Sequence, residues 1–343
     1  MSEPIELAYQ DDLSHEEWLM LRREGVGSSD ASGILGLSPW SSPWQIWLDK
    51  TGQIPPDTEQ TEAMYFGSLL EETIVTAVAD RTGWQIERPR TTYQSSDHSF
   101  MLASPDAIAT MPDGTRALLE IKNTSGYKLE EWANGEQQDD GTWTGGEAPA
   151  HYIIQVQHQH AVMGTTVGYI GALLGGNRLY IIRVDRDDDL IATLVERERA
   201  FWRDNVEANE APPVDASPTT TDLLSQIFSE SDPYATADLE ADVAAALVEY
   251  QRAGADEAAA KERKTHAGNI IRNALGEAET AMFNGVNVAT WKPQVTERFD
   301  QKAFKEDQPE MYAKYLNKTA SRVLRIGRSK EAKQTLARIE EEI

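Results

Sequence analysis

The sequence predicts an α/β protein with a mostly helical C-terminal extension. Three observations predict it. Up to about residue 210, segments with helical spacing alternate with short strand-like runs. At Ala211-Pro212-Pro213 that pattern stops, and residues 211–222 read as a linker by composition. Beyond it, residues 223–343 include an Ala-, Glu- and Lys-rich stretch at 236–278, in which Val243, Ala246, Leu247 and Tyr250 keep helical spacing.

Taken in order, Ser14 with Glu17 three residues later is a capping-box pattern that opens a short helix. A second short helix is expected over 29–36. Ser42-Pro43 opens a third, with proline at its first position and Trp44, Trp47 and Leu48 on one face. A longer helix is expected from Thr61 to Thr82, stopping at Gly83, which suits a C-terminal cap. Strand-like runs follow at Trp84–Glu87, Phe100–Ala103, Ala107–Thr110 and Ala117–Lys122, the last two joined as a hairpin by the Asp113-Gly114 turn. Residues 133–148 are Gly-rich and polar and read as a mobile loop. A helix is expected from Pro149 to Met163, then strands Val167–Leu174 and Leu179–Val184, then a helix over 188–208. In the extension, 236–278 reads as a helical hairpin or coiled-coil segment. Asn284-Gly285 makes a second hairpin turn, and a basic tail closes the chain.

The 343 residues suffice for one large core or two ordinary domains. No apolar run approaches the roughly 20 residues of a membrane span, and the acidic start of the chain resembles no signal or transit peptide. The absence of cysteine excludes disulfides, thiolate zinc sites and cysteine nucleophiles, and fits a cytoplasmic protein. A net charge of −25 argues against tight non-specific binding to nucleic acid. Its distribution is uneven: residues 292–343 hold 12 Lys and Arg against 9 Asp and Glu, a net of +3 that leaves −28 for residues 1–291.

One constellation carries chemistry. Period-2 alternation puts Glu120 and Lys122 on the same face of a strand, while Ile121 points the other way. A hairpin turning at Asp113-Gly114 brings Asp106, of Ser104-Pro105-Asp106, back beside Glu120. Two carboxylates and an ammonium then meet on a sheet. Carboxylate oxygens are hard ligands for Mg²⁺ or Mn²⁺, and the Ile121 carbonyl would add another oxygen. Such an ion polarises a phosphate and activates water, and a nearby lysine can orient that water or stabilise developing negative charge. Glu71 lies in the long helix. Gln155 and Gln159, four apart on the Pro149–Met163 helix, share a face, whereas His158 and His160 do not, which disfavours a two-histidine zinc site.

Glu71, Ser104-Pro105-Asp106, Glu120-Ile121-Lys122 and Tyr152-x-x-Gln155-Val156-Gln157 resemble, in order and spacing, the lambda-exonuclease and YqaJ-like viral recombinase family of the PD-(D/E)xK nucleases. Leu21-Arg22-Arg23-Glu24-Gly25-Val26-Gly27-Ser28-Ser29-Asp30 resembles that family's opening motif, and the likeness spans about residues 13–208. It implies a restriction-endonuclease-like α/β/α core around a mixed sheet. It also implies metal-dependent digestion of duplex DNA from the 5′ end, feeding single strands to an annealing protein in phage-type recombination. Asp106 and Glu120 then correspond to metal ligands, with the Ile121 carbonyl beside them, and Lys122 to the catalytic lysine. Glu71 corresponds to the helix carboxylate of a second metal, and Gln155 to the active-site glutamine. Ser28 or Ser29 with Arg22 or Arg23 would clamp a terminal 5′-phosphate; counting back from Ser29-Asp30 selects Arg22, and counting from Gly25 selects Arg23. Two Mg²⁺ or Mn²⁺ ions per site, a homo-oligomer and a bacterial host cytoplasm are expected on the same ground. An endonuclease or a Cas4/RecB-like nuclease on the same core is the alternative, although the latter usually needs cysteines for an iron–sulfur cluster. A non-catalytic DNA-end-binding protein is a further alternative, disfavoured by the intact Asp106, Glu120 and Lys122.

Overall fold

The computed structural model describes residues 3–56, 61–132, 136–137, 143–144, 147–317 and 321–342. Most of the expected loop at 133–148, and Lys318 in the tail, lie outside the described residues. The chain separates into two compact units, Met1–Ile227 and Phe228–Ile343.

The first unit begins with β1 (Ile5–Tyr9) and α1 (His15–Arg23), the latter opened by the expected Ser14/Glu17 capping box. β2 (Val26–Gly27) leads into α2 (Ser28–Ile34), and α3 (Pro43–Lys50) starts with the Ser42 hydroxyl accepting from the Gln45 amide at 3.2 Å. α4 (Glu62–Thr82) ends at Gly83, whose φ of 68° is the left-handed conformation expected of a terminal glycine. Then come β3 (Gln85–Glu87), β4 (Thr91–Gln94), β5 (Met101–Ala103), β6 (Ala107–Thr110) and β7 (Arg116–Thr124). Two short strands, β8 (Glu136–Gln137) and β9 (Trp143–Thr144), precede α5 (Ala150–Met163). β10 (Val167–Leu174), β11 (Arg178–Asp185), α6 (Asp188–Phe201) and α7 (Pro218–Ile227) complete the unit, with a π-helical turn at Trp202–Glu207 extending α6.

Among the described residues the main sheet runs β3-β6-β7-β10-β11-β9-β8. It is mixed: β6 pairs antiparallel with β7, β7 parallel with β10, and β10 antiparallel with β11. Strand alternation sorts its two faces. Leu119, Ile121, Tyr169, Leu173, Leu179 and Ile181 pack on Ile74, Val75 and Val78 of α4. Ile170, Ala172, Leu174, Tyr180, Ile182 and Val184 face the other way, with Val156 of α5. The result is the expected α/β/α layering around a mixed sheet. Gly168 lets α5 lie close to β10, since a Cβ there would come within 2.8 Å of Val156 Cγ1.

A second sheet, β1-β4-β5-β2, was not foreseen in full. Only the Phe100–Ala103 run signals it, because β4 reads Thr-Thr-Tyr-Gln and β2 spans two residues. Part of the stretch with linker composition is also ordered. Thr220 of α7 is buried and donates to Ser42 Oγ at 2.7 Å, and Leu223 packs on the Ile46, Trp47, Leu48 and Phe201 cluster.

In the second unit, residues 241–275 form one continuous helix, α8 (Ala241–Leu275), so the expected helical hairpin within 236–278 is corrected. Its Ala-rich sequence contains no break strong enough to turn the chain. The helix that packs on it comes from the C-terminal end: α11 (Lys330–Glu342) places Leu336 by Val248, and Arg252 pairs with Glu340 at 2.7 Å. Between them lie the expected hairpin of β12 (Thr280–Phe283) and β13 (Val286–Thr290), then α9 (Gln301–Asp307) and α10 (Pro309–Lys314). Among the described residues no helix is long and apolar enough to cross a membrane.

Candidate active site

Strand register assembles the centre. Ala107 pairs with Leu119 across the β6–β7 hairpin, which sets Asp106, one residue before β6, against Glu120. Asp106 Oδ2 accepts the Ile121 amide at 2.8 Å. Glu120 and Lys122 both face α5. Lys122 Nζ donates to Glu120 Oε1. The same oxygen accepts from Gln155 Nε2 at 2.5 Å, and Oε2 accepts from Gln159 Nε2 at 2.7 Å. Glu120 is 1% exposed, so its charge depends on these donors. The Lys122 ammonium also lies 5.1 Å from the centre of the Tyr152 ring.

The electrostatics show a local shortage of positive charge. Burial first, and the Glu120 carboxylate second, push the Asp106 carboxyl well above its ordinary range, against the pull of Lys122. Burial works against the Lys122 ammonium, but Glu120 and Asp106 outweigh it and hold its pKa above the usual lysine value. Three donors occupy three of the roughly four lone-pair positions of the Glu120 carboxylate. One position there is left without a donor, and oxygens such as those of Glu120 and Asp106 are of the kind that could hold Mg²⁺ or Mn²⁺.

Glu71 is adjacent and shares one oxygen with an arginine. Its Oε1 accepts from Arg88 Nη2, and Arg88 Nη1 reaches Glu72 Oε2 at 2.9 Å. Burial raises the Glu71 carboxyl, and Glu120 adds to the rise while Arg88 opposes it. Consistent with this, among the described residues no three His, Cys, Asp or Glu side chains converge in a metal-like group.

Next to the carboxylates is a cavity of about 210 Å³, lined by Trp18, Arg22, Gly27, Ser28, Ser29, Thr92, Leu102, Ser104 and Gln155. Arg22 Nη2 donates to Ser29 Oγ at 3.2 Å, with its guanidinium 4.9 Å from the Trp18 ring. Ser28 Oγ is buried and has no hydrogen-bond partner among the described residues. Arg23 points elsewhere: its Nε and Nη2 donate to Asp49 Oδ1 at 3.0 and 2.8 Å, and Nη2 also reaches the Ile54 carbonyl at 2.9 Å. The motif is braced from below. Buried Lys50 pairs with Asp30 at 2.7 Å and donates to the Arg22 carbonyl at 2.7 Å, while Asp30 accepts the Gly27 amide at 2.9 Å.

The polar residues of α5 divide into two groups. Gln155 and Gln159 serve Glu120. Gln157 donates to the Asp185 carbonyl, and His158 contacts Glu198 and the Leu102 carbonyl, each at 2.9 Å. His160 contacts Thr165 Oγ1 at 2.7 Å and the Val184 carbonyl at 3.2 Å. The two histidines therefore serve separate structural contacts. Gln159 joins the site beyond the expected set; its i+4 spacing from Gln155 was the available signal. Arg88 joins it as well, with no signal in the sequence.

Residues 17–166 match the family model described as a YqaJ-like viral recombinase domain. The protein YqaJ of Bacillus subtilis (strain 168) is 35% identical over 315 residues, covering 91% of this chain and 94% of that one. Protein R354 of Acanthamoeba polyphaga mimivirus is 26% identical over 150 residues, covering 44% of this chain and 27% of its own. Among solved structures, an alkaline exonuclease from Laribacter hongkongensis aligns with a TM-score of 0.43 at 20% identity, over 57% of this chain and 94% of that one. A phage-related exonuclease from Haemophilus somnus 129PT aligns with a TM-score of 0.35 at 15% identity, over 61% and 99%.

Proposed function

The chain belongs to the YqaJ-like viral recombinase family, and from that premise we propose that it is a divalent-metal-dependent exonuclease that digests linear duplex DNA from the 5′ end. The observation that carries this reading is the meeting of Asp106, Glu120 and Lys122 at one point of the sheet, beside a cavity lined by Arg22, Ser28 and Ser29.

Asp106 and Glu120, with the Ile121 carbonyl, would hold Mg²⁺ or Mn²⁺. When bound, the ion supplies a Lewis acid for the phosphate and a water of lowered pKa. Gln155 and Gln159 fix the Glu120 carboxylate so that its free lone pair keeps one direction. Lys122, kept charged by its two carboxylate neighbours, stabilises negative charge on the phosphate oxygens as the bond breaks. Arg22 with the Ser28 and Ser29 hydroxyls receives the terminal phosphate; a guanidinium and two hydroxyls are strong donors to such an anion. Gln155 lines that cavity and also bonds Glu120, so a seated 5′-phosphate lies next to the hydrolytic carboxylates. That adjacency favours cleavage near an end. The product strand would pass to a single-strand annealing protein, and a homo-oligomer would surround the duplex.

A time course with Mg²⁺ on 5′-phosphorylated linear, 5′-hydroxyl linear and closed circular duplexes tests the reading. Rapid release of nucleotides from the first, slower release from the second and none from the circle is expected. Cutting of the circle at a comparable rate would replace the exonuclease by an endonuclease.

A further inference from the structure

The Arg88 guanidinium lies against the carboxylate that a second cation would need. Arg88 Nη2 donates to Glu71 Oε1, and Nη1 to Glu72 Oε2 at 2.9 Å. The side chain is 26% exposed, and its Nε is buried without a partner among the described residues. It is also held from behind. Pro89 restricts Arg88 to extended backbone. Arg90 adopts a left-handed φ of 49°, pairs with Asp11 at 2.6 Å and accepts the Gln10 amide on its carbonyl at 2.7 Å. These contacts hold the backbone from which Arg88 reaches Glu71 and Glu72.

We propose that Arg88 supplies at Glu71 the positive charge a second divalent ion would otherwise bring, so that the centre takes one resident cation, on Asp106 and Glu120. The proposal rests on the nuclease reading above.

Charge counting supports it. Three carboxylates, Glu71, Asp106 and Glu120, face two side-chain cations, Lys122 and Arg88; Glu72, the second partner of Arg88, is 70% exposed and screened by water, and Arg90 is balanced by its own partner, Asp11. With all five ionised, one negative charge is left over. One divalent ion and one phosphodiester bring the centre to neutrality, and a second divalent ion would leave two positive charges uncompensated in a partly buried place. Paired catalytic ions lie roughly 3.5–4 Å apart and need carboxylates around both. Here a second ion could reach only Glu71 Oε2, beside a guanidinium that cannot be neutralised by losing a proton and repels it.

The test is the number of Mn²⁺ ions bound per full-length chain, read by calorimetry and by electron paramagnetic resonance of the free ion, without DNA. The wild type is expected to bind one ion. Arg88→Gln is expected to bind two, the gain disappearing in Arg88→Gln/Glu71→Gln, while Arg88→Lys keeps one. Glu71→Gln alone should leave the wild-type count unchanged, which supports the proposal even if the Arg88 variants do not fold. Two ions of similar affinity on the wild type, or one on a folded Arg88→Gln, overturns the proposal alone. No ion on the wild type overturns the metal reading beneath it as well.

Discussion

Arg22 and Arg23 are neighbours in sequence with opposite surroundings, and substitution separates them. Arg22 lines the cavity beside Gln155, whereas Arg23 ties α1 to Asp49 and the Ile54 carbonyl. Arg22→Ala should reduce the preference for 5′-phosphorylated ends by about tenfold or more, with little change in melting temperature, since charge-assisted hydrogen bonds contribute about 1.5–3 kcal/mol each. Arg23→Ala should lower stability by roughly 1–2 kcal/mol, discounted because Asp49 is 40% exposed, and keep the end preference. The reverse pattern, in paired melting and end-preference assays, would exchange the two roles. At this scale the sequence was legible where local periodicity decides. Period-2 alternation places Glu120 with Lys122, and i+4 spacing places Gln155 with Gln159, whatever surrounds them. The choice between Arg22 and Arg23 was not legible, because it turns on Arg23, whose partners Asp49 and Ile54 come from a distant segment, while Arg22 stays with nearby Trp18 and Ser29. Arg88 was hidden for the same reason: Glu71 is 17 positions away and meets it only once β3 folds back on α4.

Among the elements, α5 explains its own unusual composition. A helix between a sheet and other helices ordinarily buries apolar residues, yet this one buries Gln157, His158, Gln159 and His160. His158 and Glu198 are both fully buried and join α5 to α6. Burial pulls the His158 pKa down, but Glu198 and the Leu102 carbonyl outweigh it, and the imidazole ends above its ordinary value. A raised folded-state value means that this stabilisation is complete below about pH 6.5, the unfolded value, and is lost as pH rises through the folded one. His158→Leu leaves Glu198 buried without its partner and should cost about 3–5 kcal/mol, with the deficit shrinking at alkaline pH. His158→Leu/Glu198→Leu should recover much of it. A deficit in urea melts that grows with pH would show the sign to be wrong. Long, capped or turn-bounded elements such as α4, α5 and the β6–β7 hairpin were legible because their signals are local. β1, β2 and β4 were not: β2 is two residues long, β4 reads Thr-Thr-Tyr-Gln, and the exposed β1 is held by its pairing with β4.

For the whole molecule, the useful boundary falls after α7. Composition suggested a break near residue 210, but Thr220 and Leu223 are bound into the first unit. A fragment ending at residue 227 should fold and cleave short duplexes at close to the full-length rate. One ending at residue 210 should be less stable by roughly 1–3 kcal/mol, from the lost burial and hydrogen bond. Removing 228–343 also removes the segment in which residues 292–343 hold 12 Lys and Arg. Affinity for long DNA should therefore fall, with a shallower dependence on salt. Equal affinity and equal salt slope in fragment and full chain would deny that segment any contact with DNA.

The proposed activity needs two carboxylates and an ammonium acting together at one point of the sheet. The most direct measurement is the rate of nucleotide release from a linear 5′-phosphorylated duplex as Mg²⁺ is titrated, for the wild type and for Asp106→Asn. The wild type should be inactive in chelator and gain activity with Mg²⁺. Asp106→Asn should lose about a thousandfold or more at every Mg²⁺ concentration. Its melting temperature should match or exceed the wild type's, because a buried carboxylate repelled by Glu120 has been removed. Wild-type cleavage in chelator, or a folded Asp106→Asn working at the wild-type rate, would contradict the account.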